Sequence, residues 1–187
     1  MLSSVKVLLV PANPQSKELV TMKILIAVDS LDFNKVIAEF VNAHNWNSDT
    51  MCKVIHVIEN QLLDSSEVTF LPFFDSLIEN ERVESENLVA DMSSRINNAE
   101  QFPIQITTEV LEGHPCDRVV QIAREWPADL IIVGSHGRKG ISRFTLGSVS
   151  SAVVALAPCS VVVLRLPPAT MKNSESNAEG VLVISLA

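Results

Sequence analysis

The sequence predicts a doubly wound α/β domain, a five-stranded parallel sheet with helices on both faces. Three observations carry that reading. Near-continuous apolar runs of strand length recur along the chain, as in strands buried on both faces of a parallel sheet. Between them lie longer stretches with apolar residues at helical spacing. Strands that alternate with helices pair in parallel, because each return to the same end of the sheet needs a crossover.

The elements follow in order. Met22 to Asp29 (MKILIAVD) is an apolar run ending in an acid and is the first core strand. Phe33, Val36, Ile37, Phe40 and Val41 then fall at i, i+3, i+4, i+7 and i+8, one stripe of an amphipathic helix. Met51 to Val57 reads as the second strand. Asn60 to Phe74, with its acids, serines and Phe70-Leu71-Pro72-Phe73-Phe74 cluster, reads as a long connection. A second helix spans about Asp75 to Asn98, where Leu88, Met92 and Ile96 recur every fourth residue. Ile104 to Leu111 alternates apolar and polar residues, Gly113 and Pro115 punctuate, and Val119, Ala123 and Trp126 mark a third helix. Ala128 to Val133 is another buried strand. A glycine-rich loop, a helix ending before Pro158 and the strand Ser160 to Leu166 complete the body. The domain therefore spans 22–166. Residues 1–21 are an N-terminal extension, and 167–187 a flexible C-terminal tail with a short apolar end, Val181-Leu182-Val183-Ile184.

Length and composition narrow the function. A chain of 187 residues suits one domain with a sizeable core, and 47% hydrophobic against 19% charged residues is too apolar for a disordered chain. A formal charge of −8 argues against a general nucleic-acid binder, which needs a basic face. Cys52, Cys116 and Cys159 are odd in number and form no CxxC pair, so neither a disulfide framework nor a zinc site is indicated and a reducing cytoplasm fits. The uncharged stretch between Arg143 and Arg165 contains Gly147, four serines and Pro158, which read as loop, helix and strand rather than a membrane span. The apolar run before Pro11 is too short for a signal peptide.

The chemistry concentrates after the strand Ala128 to Val133. Four of the six glycines, Gly134, Gly137, Gly140 and Gly147, fall within fourteen residues. Bare backbone lets main-chain N–H groups approach a ligand closely, and a loop that leaves a strand and enters a helix is how a phosphate cradle is built. Ser148 can supply a hydroxyl and cap the helix. From Leu130 to Ser174 there is no Asp or Glu, while Arg138, Lys139, Arg143, Arg165 and Lys172 carry five positive charges. An acid-free segment in an acidic chain suits an anion site; the bland reading is a tight turn with solvated cations. No GxxxxGK[ST] is present, the glycines do not follow the first strand as in a dinucleotide fold, and Gly134-Ser135-His136-Gly137 is not the GxSxG of a nucleophile elbow.

Gly134-Ser135-His136-Gly137, nine residues, then Gly147-Ser148 resembles the G-x2-G-x9-G-[ST] signature of the ATP-binding branch of the universal stress protein family. Ile24 to Asp29, His56-Val57, Leu111 to Pro115 and Pro158 to Val163 are similar to that family's strand ends and turns, so the resemblance covers about residues 22–166. It departs where Ser30-Leu31 follows Asp29 in place of Gly-Ser. The resemblance implies an adenine nucleotide α-hydrolase-like fold of strand order 3-2-1-4-5, with ATP at the carboxyl ends of the strands. Ala27 and Asp29 would line the adenosine end, and the main chain of Val57 the adenine edge. Val133 and Gly134 would face the sugar, and His136, Gly137, Gly147, Ser148 and Val149 the phosphates. Mg2+ or Mn2+ would ride on the phosphates rather than on protein ligands.

The reading is a dimeric, ATP-binding stress-response module with no catalytic residue assigned and at most slow ATP hydrolysis. Homodimerisation is expected through Ser160 to Leu166, Val-rich and exposed at the sheet edge if the tail does not cover it. No nucleic acid or membrane partner is expected. His136 more naturally offers its N–H or imidazole to phosphate than acts as a base, His56 reads as a satisfied sheet histidine, and Cys116 and Cys159 as inert thiols. Two rival readings stay open: a nucleotide-independent dimeric interaction or chaperone-like protein, and an adenylate-forming or phosphatase-type enzyme on the same fold.

Overall fold

Branched aliphatic side chains crowd a helical turn but suit a pleated surface, and the runs rich in them form the strands. The computed structural model describes residues 21–47, 49–59, 74–97, 104–135, 146–166 and 181–184. Its elements are β1 (Lys23–Ala27), α1 (Leu31–Ala43), β2 (Met51–Ile58), α2 (Phe74–Asn97), β3 (Gln105–Glu112), α3 (Pro115–Glu125), β4 (Leu130–Gly134), α4 (Ser148–Leu156), β5 (Ser160–Leu164) and β6 (Val181–Ile184). Strands β1 to β5 are parallel in the order 3-2-1-4-5, as expected. The sixth strand adds antiparallel outside β5.

The two-residue period of the strands divides the core into two layers. Ile24, Ile26, Ile132, Val162 and Leu164 face α1 and α2, where they meet Phe33, Ile37, Phe40 and Val41 of the first helix and Leu88, Met92 and Ile96 of the second. Leu25, Ile131, Val133, Val161 and Val163 face α3 and α4, against Val119, Ala123 and Val153. Each fully buried side chain of this kind contributes roughly 1.5–3 kcal/mol. An exposed ion pair such as Arg82–Glu86 adds about 0–1 kcal/mol, so burial decides the fold. A buried polar fastener links α1 to α2 in the first layer. Asn34, fully buried, donates through Nδ2 to the Leu88 carbonyl and to Asp91, each at 2.9 Å, and Arg95 Nε binds the same carboxylate at 2.7 Å.

Two expectations are corrected. Residues 167–187 are not wholly a tail outside the sheet, because Val181–Ile184 pairs with β5 in the register Val161↔Ile184 to Leu164↔Val181. The edge of β5 is therefore covered within one chain. A four-residue apolar run has no period by which the sequence could assign it, whereas an unprotected Val-rich edge gives it a place to pair. The strand Ser160 to Leu166 also ends earlier, at Leu164. Residues 1–20 and the connection from Asn60 to Phe73 lie outside the described residues. No helix among the described residues is long and apolar enough to cross a membrane.

Candidate functional site

In a parallel sheet all carboxyl ends lie along one margin. Strands β1 and β4 are neighbours there, with Ala27 beside Val133. From β1 the chain enters α1 on one face, and from β4 it leads to α4 on the other. Loops that leave adjacent strands toward opposite faces open a crevice between them.

On the β1 side, Val28 is held at both of its main-chain groups. Its N–H donates to the Ile55 carbonyl at 2.9 Å, and its carbonyl accepts from His56 Nδ1 at 2.7 Å. A carbonyl can only accept, so Nδ1 carries the proton. His56 is thus a satisfied, buried sheet histidine, and it also fixes the point where the chain turns toward Asp29. Val57 packs its side chain against the second layer and stands beside Leu111. Next to it, Gly113 has φ +131°, which L side chains rarely adopt, and donates to the Ile58 carbonyl at 3.0 Å.

On the β4 side, Val133 is buried and Gly134 ends the strand. A Cβ on Gly134 would lie 2.7 Å from Cδ1 of Phe33 and 2.8 Å from its Cγ. This glycine makes room for the aromatic ring at the start of α1. Ser135, which sequence reasoning did not single out, closes the neck of the following loop. Its N–H donates to Leu164 at 2.7 Å, and its carbonyl accepts from Gly147 N–H at 2.7 Å and from Ser150 Oγ at 2.9 Å. Ser135 and Ser150 are both buried. The only sequence signal was a hydroxyl inside the glycine-rich segment and another among the three serines that open the next helix.

The start of α4 carries the electrostatics. Gly147 is the N-cap, at φ −64° and ψ 164°, with no side-chain cap and no acid in the first turn. Ser148 therefore stands one position inside the helix and is not the cap. The bond from Ser151 N–H to Gly147 at 2.9 Å is the first of the helix. The N–H groups of Ser148, Val149 and Ser150 thus have no acceptor within it. Because Gly147 spends its own N–H on Ser135, the donors left for an anion begin at Ser148. The helix dipole adds roughly 0.3–1 kcal/mol for a charge placed there.

The fold brings Ala27, Asp29, Val57, Val133, Gly134, Gly147, Ser148 and Val149 to the carboxyl ends of β1, β2 and β4 and the loops that leave them. His136 and Gly137 lie outside the described residues. An open groove of about 450 Å³ between α3 and α4, lined by Asp117, Val120, Gln121, Arg124, Glu125 and Leu156, includes none of these positions. The cysteines offer no nucleophile. Burial pushes the Cys52 thiol up to about 12 and that of Cys159 to about 11, and raises Cys116 as well, with Asp117 adding to the last. Among the described residues no three His, Cys, Asp or Glu side chains could hold a metal ion.

A doubly wound parallel sheet whose order switches between β1 and β4, with a helix N-terminus beside that point, is the class of α/β fold that takes ligands there as a general rule. The chain belongs to the universal stress protein family, whose model matches residues 21–165. It is 32% identical over 151 residues to universal stress protein A homolog 2 of Coxiella burnetii, covering 77% of this chain and 94% of that protein. A shorter match, 42% identical over 69 residues, covers 37% of this chain and 41% of a universal stress protein of Methanocaldococcus jannaschii. The fold is similar to that of universal stress protein UspA from Lactobacillus plantarum, with a TM-score of 0.65 at 24% identity, covering 77% of this chain and 97% of that one. Three more solved structures are a universal stress protein in complex with cAMP, one from Archaeoglobus fulgidus in complex with dAMP and one from Arabidopsis thaliana with AMP bound. Their TM-scores are 0.53, 0.51 and 0.52, at 18%, 21% and 17% identity. They cover 79%, 76% and 82% of this chain and 98%, 96% and 97% of their own.

Proposed function

We propose that this chain is a cytoplasmic regulatory module that binds ATP at the crevice between the carboxyl ends of β1 and β4. The observation that carries the reading is the N-terminus of α4, where the N–H groups of Ser148 and Val149 have no acceptor within the helix and no acid stands in the first turn. Ala27, Asp29 and the Val57 main chain take the adenosine end. Val133 and Gly134 take the sugar, and His136, Gly137, Gly147, Ser148 and Val149 the phosphates. The adenine nucleotides held by the three structural neighbours support this ligand class. A divalent ion, Mg2+ or Mn2+, enters on the phosphate oxygens, and any hydrolysis is slow.

The same reading includes a homodimer in which the β5 edge, Ser160 to Leu166, pairs antiparallel with that of a second copy once β6 has left it. Mass spectrometry of the nucleotide released on denaturing the purified protein tests the ligand. An adenine nucleotide near one equivalent supports the reading. Calorimetry then assigns the loop. Gly137→Val with Gly147→Val places branched Cβ atoms where backbone must approach phosphate and is expected to abolish ATP binding in a folded protein. Unchanged affinity in that variant would sink the assignment.

A further inference from the structure

We propose that β6 stands in for a second copy of this chain at the β5 edge, so that the C-terminal strand and another molecule's β5 compete for one interaction surface. The inference rests on the dimer reading above and adds what controls it. Five strands of the sheet are parallel, and β6 alone runs the other way. A two-fold axis that paired β5 with its own copy would also place an antiparallel strand there, because such an interface is self-complementary. The direction of β6 is therefore that of the absent partner strand.

Composition agrees. Val-Leu-Val-Ile of β6 has the uncharged, proline-free character of Ser-Val-Val-Val-Leu in β5. Neither strand carries the lysine, proline or bulge that would keep a strand from pairing. The attachment is also of the exchangeable kind. The four pairs from Val161↔Ile184 to Leu164↔Val181 hold it, and residues 165–180 connect the two strands, far more than a hairpin loop of roughly 2–5 residues. A strand on so long a connection can leave without unpairing β5 from β4.

The outcome of the competition follows from concentration. A tether of this length, residues 165–180, presents β6 to β5 at an effective concentration of order millimolar. With matched contacts, a second copy at tens of micromolar loses to it by roughly a hundredfold. The full chain is therefore monomeric and self-capped at such concentrations, and the dimer forms where β6 is displaced.

Sedimentation of the full chain beside Leu182→Pro/Val183→Pro tests this. Successive N–H groups of a strand point to opposite edges, so one of the two prolines removes a ladder donor whichever edge faces β5. The expected result is a monomeric full chain and a dimeric variant at tens of micromolar. A peptide of residues 179–187 added in excess should return the variant to monomer. A full chain that dimerises as tightly as the variant would overturn the competition while leaving the dimer reading intact. A folded variant that stays monomeric, or a variant dimer that the peptide leaves untouched, would overturn the proposal. In the monomeric case the β5 dimer falls with it. ATP binding measured on both proteins reports separately on the nucleotide site, which the substitutions do not touch.

Discussion

The two margins of the sheet are finished by opposite means. At the β3 margin the strand protects itself: Gln105, Thr107, Thr108 and Glu112 are exposed, and Glu109 reaches Lys53 of β2 at 3.2 Å. At the β5 margin Val161 to Leu164 are each at most 1% exposed, and the chain returns to cover them with β6. A polar edge strand can end a sheet by itself, whereas an apolar one needs a partner. The difference teaches that the C-terminal residues belong to the architecture of the sheet.

The largest test of this contrast puts a carboxylate into each margin. Val163→Asp buries an unpaired charge in the layer between the sheet and α3 and α4 and is expected to cost about 3–5 kcal/mol, much of a domain's whole stability. Thr108→Asp on exposed β3 is expected to stay within about 0.5 kcal/mol. Urea denaturation measures both, and equal losses would remove the distinction between the margins.

A second test moves inward, to where β4 meets the site. Gly134→Val drives a branched side chain into the Phe33 ring, 2.7 Å from the position of its Cβ. The expected loss is about 1–3 kcal/mol, partly recovered by adding Phe33→Leu. No recovery would mean that something other than the ring demands the glycine.

A smaller effect belongs to the helix layer that backs the polar margin. The hydrogen bond from Arg95 holds the Asp91 carboxyl below the usual carboxylate range; burial, the next-largest effect, opposes it, and the hydrogen bond from Asn34 and the charge of Arg95 lower it further. A depressed folded value means that the charged form favours the fold. That contribution is complete above the unfolded-state value of about 3.9 and disappears as pH falls through the lower folded value. The pair is partly exposed, so Asp91→Asn should lower the melting temperature only slightly at neutral pH and not at all at strongly acid pH. A difference that persisted in acid would assign Asp91 a role other than charge.

Smallest of all is the effect expected from the other terminus. We expect a chain beginning at Met22 to bind ATP like the full one and to melt within a few degrees of it, because β1 and its pairing with β2 start there. Precipitation of that shorter chain would mean that Val5 to Val10 supplies a further strand or cover.

What the sequence revealed follows from how much physics is local. The runs ILIA and LIIV and the stripe Phe33, Ile37, Phe40 and Val41 are statements about burial, and each became a central strand or a buried helix face. Spacing also located the loop between Gly134 and Ser148. Three features were not legible because they depend on distant partners. The strand β6 has meaning only beside β5. The need for Gly134 comes from an aromatic ring about one hundred residues earlier in the chain, and the loop neck depends on two buried serines that resemble ordinary surface residues in sequence.

The central claim is that an adenine nucleotide lies at the carboxyl ends of β1 and β4 against the start of α4. Amide chemical-shift mapping by NMR during an ATP titration tests it most directly. The account expects saturable shifts concentrated at Ala27, Asp29, Val57, Val133, Gly134, Ser148 and Val149, with the opposite end of the sheet around Trp126 unmoved. Absence of any saturable shift, or shifts gathered in the groove between α3 and α4, would contradict it.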